Sequence, residues 1–184
     1  MFCINRAELN LMNEFRVLWE QHSAWTRMAI ISITYKLPNE EQVVARLLRN
    51  PVDFGNTFRR YYGNFIGNKI RDLITEHLVL AADMIKAVMA GNNQLAMELE
   101  RRWYENANEI AMFLGAINPF WSVEAWRKMY FEHLRLVKLE ATTALNGQYQ
   151  ENVDAYDLLE AGALEMADEM SRGIIMQFPE RFCN

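Results

Sequence analysis

At 184 residues, 51% apolar and 23% charged, the chain is long enough for one domain with a sizeable core. The net charge is −5 and the arginines are scattered (Arg46 and Arg49, Arg59 and Arg60, Arg101 and Arg102), which argues against nucleic acid as a partner. The longest apolar run, MAIISITY at 28–35, is far below the roughly 18 residues that suggest a membrane span, so no membrane partner is expected.

Strand signals are nearly absent, and apolar residues recur at helical spacing between sparse Pro and Gly. The first helix is predicted over 8–36, where Leu11, Phe15, Leu18, His22, Trp25, Ala29 and Ile33 step by four or three. LPN at 37–39 ends it, and Asn39 is a candidate N-cap for a second helix over 40–62. Pro51 predicts a break or kink between Asn50 and Phe54, because its ring removes a backbone donor and crowds the preceding turn. Asn50 could cap a restart there, with Pro51 at the first helical position. GNFIGNKI at 63–70 lacks both the spacing and the preceding strand of a phosphate loop; it reads as a connection to a third helix over 66–90.

That third helix carries Ile70, Leu73, His77, Ala81, Met84 and Val88 on one face. AGNN at 90–93 supplies a turn, with Asn92 or Asn93 capping a fourth helix over 94–115. In INPFWSVEAW at 117–126, Pro119 ends one helix and Ser122 caps the next, while Trp121 and Trp126 are expected to seal the seam. The fifth helix, 122–146, aligns Trp126, Met129, His133, Leu136, Glu140 and Ala144. LNGQ at 145–148 leads to the sixth, over 149–177.

The three histidines recur at 77 − 22 = 55 and 133 − 77 = 56 residues, each followed by a turn, a second helix and a glycine (Gly63, Gly115, Gly173). This predicts an all-α bundle, one domain over 1–184, of three antiparallel hairpins near 8–62, 66–115 and 122–177 with an internal repeat. His22, His77 and His133 then face inward at similar depth. Counting outward from the turns places Asp53 near His22, Asn106 and Glu109 near His77, and Glu160 near His133.

A structural polar layer of imidazoles and acid or amide partners is the expected arrangement. The alternative is a transition-metal site, with His22, His77, His133, Asp53, Glu109 and Glu160 as candidate ligands and Glu140 as a weaker one. A ferritin-like di-iron centre is excluded, because Trp19, Ile74 and Tyr130 stand where Glu-x-x-His needs Glu. No secretion signal, nucleophile elbow or metal-binding cysteine pair appears. Cys3 and Cys183 are expected as free thiols at one end of a cytoplasmic bundle, and eleven methionines suit an adaptable contact surface.

LWEQHSAWTRMAIIS, ARLLRNPVDFGN, RRWYENANEIAMFLGAINPFWS and GIIMQFP together resemble a small uncharacterised all-helical bacterial family, over about a third of the chain. The resemblance implies an all-helical fold. The acetylglutamate kinase label carried by some members implies an α/β sandwich with glycine-rich nucleotide loops; neither occurs in this sequence, and no catalytic residue is transferred. The expected function is a non-catalytic helical binding or assembly module, with a second copy or another protein as possible partner. The alternative is a metal-binding protein or metal-dependent oxidoreductase.

Overall fold

A capping box starts the first helix: Asn5 accepts from the Glu8 amide, and the Asn5 amide donates to the Glu8 carboxylate at 2.8 Å. In the computed structural model, which describes residues 5–182, α1 spans Arg6–Thr34, two residues earlier at its start than predicted. Then follow α2 (Glu40–Leu47), α3 (Asn50–Met89), α4 (Asn93–Ile117), α5 (Val123–Leu145), α6 (Tyr149–Gln177) and a 3-10 turn at Pro179–Arg181. The described residues contain no strand, and none of their helices is long and apolar enough to cross a membrane. Asn92 and Ser122 cap α4 and α5 as predicted; Asn39 stands at the start of α2 without a side-chain cap bond.

The middle of the chain differs from the prediction. The break falls at Leu48 and Arg49, ahead of Pro51, which sits in the first turn of α3 where a missing N–H costs nothing. Asn50 makes no cap, because its side chain is used in the core. The connection expected at 63–70 shrinks to one residue: Gly63, at φ 80° and ψ 177°, turns a sharp corner inside α3. That backbone region belongs essentially to glycine. Beyond the corner, the front (50–62) and back (64–89) parts of α3 touch backbone to backbone. A Cβ on Gly55 would lie 2.7 Å from the Gly67 carbonyl oxygen, and one on Gly67 would lie 2.6 Å from that of Gly55.

Antiparallel pairing is visible in the cross-links. On α1, Glu14 takes the Thr57 hydroxyl at 2.6 Å while His22 meets Asn50, so rising numbers on α1 face falling numbers on α3. The back of α3 pairs with α4 in the same sense, through Lys69–Glu109 and His77–Asn106. α5 pairs with α6, where Trp121 donates its indole N–H to the Glu169 carbonyl and packs on Gly173. α6 returns against α1 through Arg16–Asp168, so the helices close into a ring. Asn5 donates to the Phe182 carbonyl at 2.6 Å, bringing the two ends of the described chain together; Cys3 and Cys183 lie outside the described residues. Phe15, Phe54, Phe58, Leu134 and Ile174 form the fully buried centre, and Trp121, buried beside Trp126, packs on Phe58 and Tyr62 of α3 and on Gly173 of α6.

Candidate functional site: a three-histidine layer with one open position

Helical periodicity turns all three histidines inward, on helices that run the same way. Arg27 meets Glu140, and Tyr35 meets the Ala144 carbonyl, so α1 and α5 advance together. His22, His77 and His133 are 3%, 2% and 5% exposed, and their ring centroids form a triangle with sides of 5.5, 6.1 and 6.4 Å. Trp19, Trp103 and Tyr130 pack around them.

Two of these histidines are held by the same device. His22 Nδ1 lies 3.0 Å from Asn50 Oδ1, and Asn50 Nδ2 donates to the Leu18 carbonyl at 2.8 Å. His77 Nδ1 lies 3.0 Å from Asn106 Oδ1, and Asn106 Nδ2 donates to the Leu73 carbonyl at 3.1 Å. A backbone carbonyl can only accept, so each amide must point its NH2 at the helix and its oxygen at the imidazole. Both histidines are thereby fixed as Nδ1–H donors. The carbonyl used lies four residues before its histidine, so each asparagine bridges one turn of the neighbouring helix.

The third histidine has no such clamp. Asn50 and Asn106 follow their histidines by 28 and 29 residues. The positions at those distances from His133 are Ala161 and Gly162. Gly162 lies on the α6 face opposite His133, and a Cβ added there would meet nothing within 4 Å. His133 Nδ1 is buried with no hydrogen-bond partner. The ring borders a cavity of about 280 Å³ between α5 and α6, shared with Met129, Leu136, Leu159, Gly162 and Met166, and rimmed by Lys128, Glu132 and Glu165. A cleft of about 290 Å³ among α3, α4 and α5 is as large, but none of its lining residues carries an unpartnered buried polar atom.

The carboxylates predicted as partners lie elsewhere. Asp53 faces a surface groove with Glu14, Asn56 and Arg60. Glu109 is about half exposed and pairs with Lys69 at 2.6 Å. Glu160 lies against Glu20, whose carboxyl is pushed up by burial and then by the Glu160 charge. Glu140 is fully buried two turns beyond His133, where Arg27 donates to Oε1 at 2.7 Å and Oε2 has no partner. Burial outweighs the Arg27 charge there and raises its pKa to about 7. Among the described residues no three His, Cys, Asp or Glu side chains form a group that could hold a metal ion. The carboxylates account for part of this: Asp53, Glu109 and Glu160 all lie away from the rings and supply no oxygen to the imidazole Nε2 atoms that the amide bonds leave free.

Burial also sets the charge of the layer. It lowers His22 to about 4 against the opposing Asn50 hydrogen bond, lowers His77 to about 3 with help from the His22 charge, and takes His133 well below its ordinary value. At neutral pH the layer is three uncharged imidazoles.

The His77–Asn106 pair makes a checkable prediction. Asn106 is only 4% exposed, so its oxygen cannot turn to water when the imidazole is lost. His77→Leu alone should cost about 1–3 kcal/mol for the unsatisfied amide, and His77→Leu with Asn106→Leu should regain most of it. Urea unfolding of the two variants measures this; a single variant as stable as the parent would show the clamp to be dispensable.

Comparison with protein-family models, curated proteins and solved structures finds no match for this chain.

Proposed function

We propose that this chain is a non-catalytic helical binding module whose ligand enters between α5 and α6 beside His133. One observation carries the reading: two of three equivalent histidines are capped from within the chain, while the third has an unpartnered Nδ1 and borders a cavity. The cavity is close to the lower size range of small-molecule sites and combines an apolar lining with few polar groups. The clamps also support reading the chain as three copies of one hairpin, with the third altered to receive a ligand. Catalysis has weaker support, because among the described residues the imidazoles of His22 and His77 bond to amides and not to the hydroxyl or carboxylate of a nucleophile–base relay.

A small-molecule fragment collection titrated into methyl-labelled methionine protein tests the reading. Binding compounds should move the Met129 and Met166 methyl resonances and leave Met84 and Met97, at the other cleft, in place. Hits confined to Met84 and Met97, or none at all, would overturn it.

A further inference from the structure

We infer that the group received beside His133 is a primary carboxamide, carried by a small molecule with a compact apolar body. This rests on the binding reading above and adds its chemistry. The protein supplies its own template twice: at His22 and at His77, a planar amide puts oxygen on the imidazole Nδ1 and NH2 on the carbonyl four residues earlier. At the third position the imidazole is His133, the corresponding carbonyl belongs to Met129, and the asparagine is replaced by Gly162. Its absent side chain leaves open space beside α6.

A carboxamide satisfies both ends of this arrangement. A ketone offers the acceptor for Nδ1 but no donor for the Met129 carbonyl. A carboxylate also lacks the donor, and it would bring negative charge to a rim where Glu132 and Glu165 outnumber Lys128. His133 Nδ1 is itself shut off from solvent. The unbranched thioethers of Met129 and Met166 line the approach and can change rotamer to admit the group. Leu136 and Leu159 then face the apolar body.

The test uses the full chain, its Gly162→Asn variant, and four probes of similar size: benzamide, acetophenone, benzoate and toluene. Methionine methyl resonances report entry to the cavity, and 15N resonances of labelled histidine report contact with Nδ1. Benzamide should bind the parent at least about tenfold more tightly than the other three probes. It should shift His133 Nδ1 and leave His22 and His77 unmoved. Gly162→Asn should show a His133 Nδ1 resonance like those of His22 and His77 without any probe, and should no longer bind benzamide. If Gly162→Asn does not fold, the probe series on the parent decides alone. Equal affinities for all four probes at Met129 and Met166 would overturn the carboxamide inference and leave the binding reading intact. No shift at either methionine would remove both.

Discussion

Acidification from pH 7 to about 4.5 is expected to destabilise the protein, because of its histidine layer. The folded-state pKa values of His22 and His77 are about 4 and about 3, and that of His133 is also well below normal. In the unfolded chain all three return to about 6.5. A depressed folded pKa means stability that is fully present above about pH 6.5 and is lost as pH falls toward the folded value. Each histidine then contributes a loss of about 1.4 kcal/mol per pH unit below 6.5.

Glu140 acts in the opposite direction. With its folded pKa raised to about 7, the native state takes up a proton below pH 7 that the unfolded chain takes up only near its ordinary value, so acid favours the fold there. Glu20, also raised, has the same sign. His22 and His77 against one strongly shifted carboxyl leave a net loss of about 1.4 kcal/mol per pH unit between pH 6 and 4.5, to which the lowered His133 adds, against a typical domain stability of about 5–15 kcal/mol. Helical circular dichroism and urea midpoints followed from pH 8 to 4 measure this. A midpoint that stays constant down to pH 4.5 would contradict a neutral buried layer.

The same substitution should have opposite signs at two glycines. Ala normally stabilises a helix by about 0.5–1 kcal/mol over Gly. Gly162→Ala should show that gain, because the new methyl meets no neighbour. At Gly67 the methyl would lie 2.6 Å from the Gly55 carbonyl oxygen and 2.2 Å from Arg59 Cγ. Arg59 is flexible and can withdraw; the backbone of the other half of α3 cannot do so without opening the corner at Gly63. Overpacking of this kind costs about 1–3 kcal/mol, enough to reverse the propensity gain. Urea unfolding midpoints of the two variants give the signs directly, and a stabilised Gly67→Ala would show the crossing to be loose.

Legibility in the sequence followed the range of the interactions. Helices α4 to α6 were readable to within a few residues because their caps and turn residues are local: Asn92, Ser122 and the LNGQ turn. The inward orientation of the histidines was readable from periodicity. The restart at Pro51 is legible, and α2 ends at Leu47, a few residues ahead of it; the continuation of α3 through Gly63 is not, because a glycine there reads as a connection. Counting from the turn finds Asn106 at His77, but at His22 it gives Asp53 where Asn50 is the partner. A buried neutral imidazole is better matched by an amide, and Asn50 and Asn106 stood at nearly equal distances from their histidines in plain view. At the third unit the turn-centred count gives Glu160, two residues before Gly162, because a missing side chain gives no residue to nominate. The Arg27–Glu140 pair joins helices 113 residues apart, and no local pattern encodes that pairing.

The return of α6 onto α1 has a consequence for the order of events during synthesis. α1 ends at Thr34 and α6 begins at Tyr149, so 149 − 34 = 115 residues separate the end of one from the start of its neighbour. At roughly 5–20 residues per second, the first helix waits about ten seconds for its last partner to be made. In that interval Leu11, Phe15 and Trp19 can be covered from one side only, by the α2–α3 segment. The apolar flank awaiting α5 and α6 is the part of the nascent chain most open to chaperone capture or to mispairing with another copy.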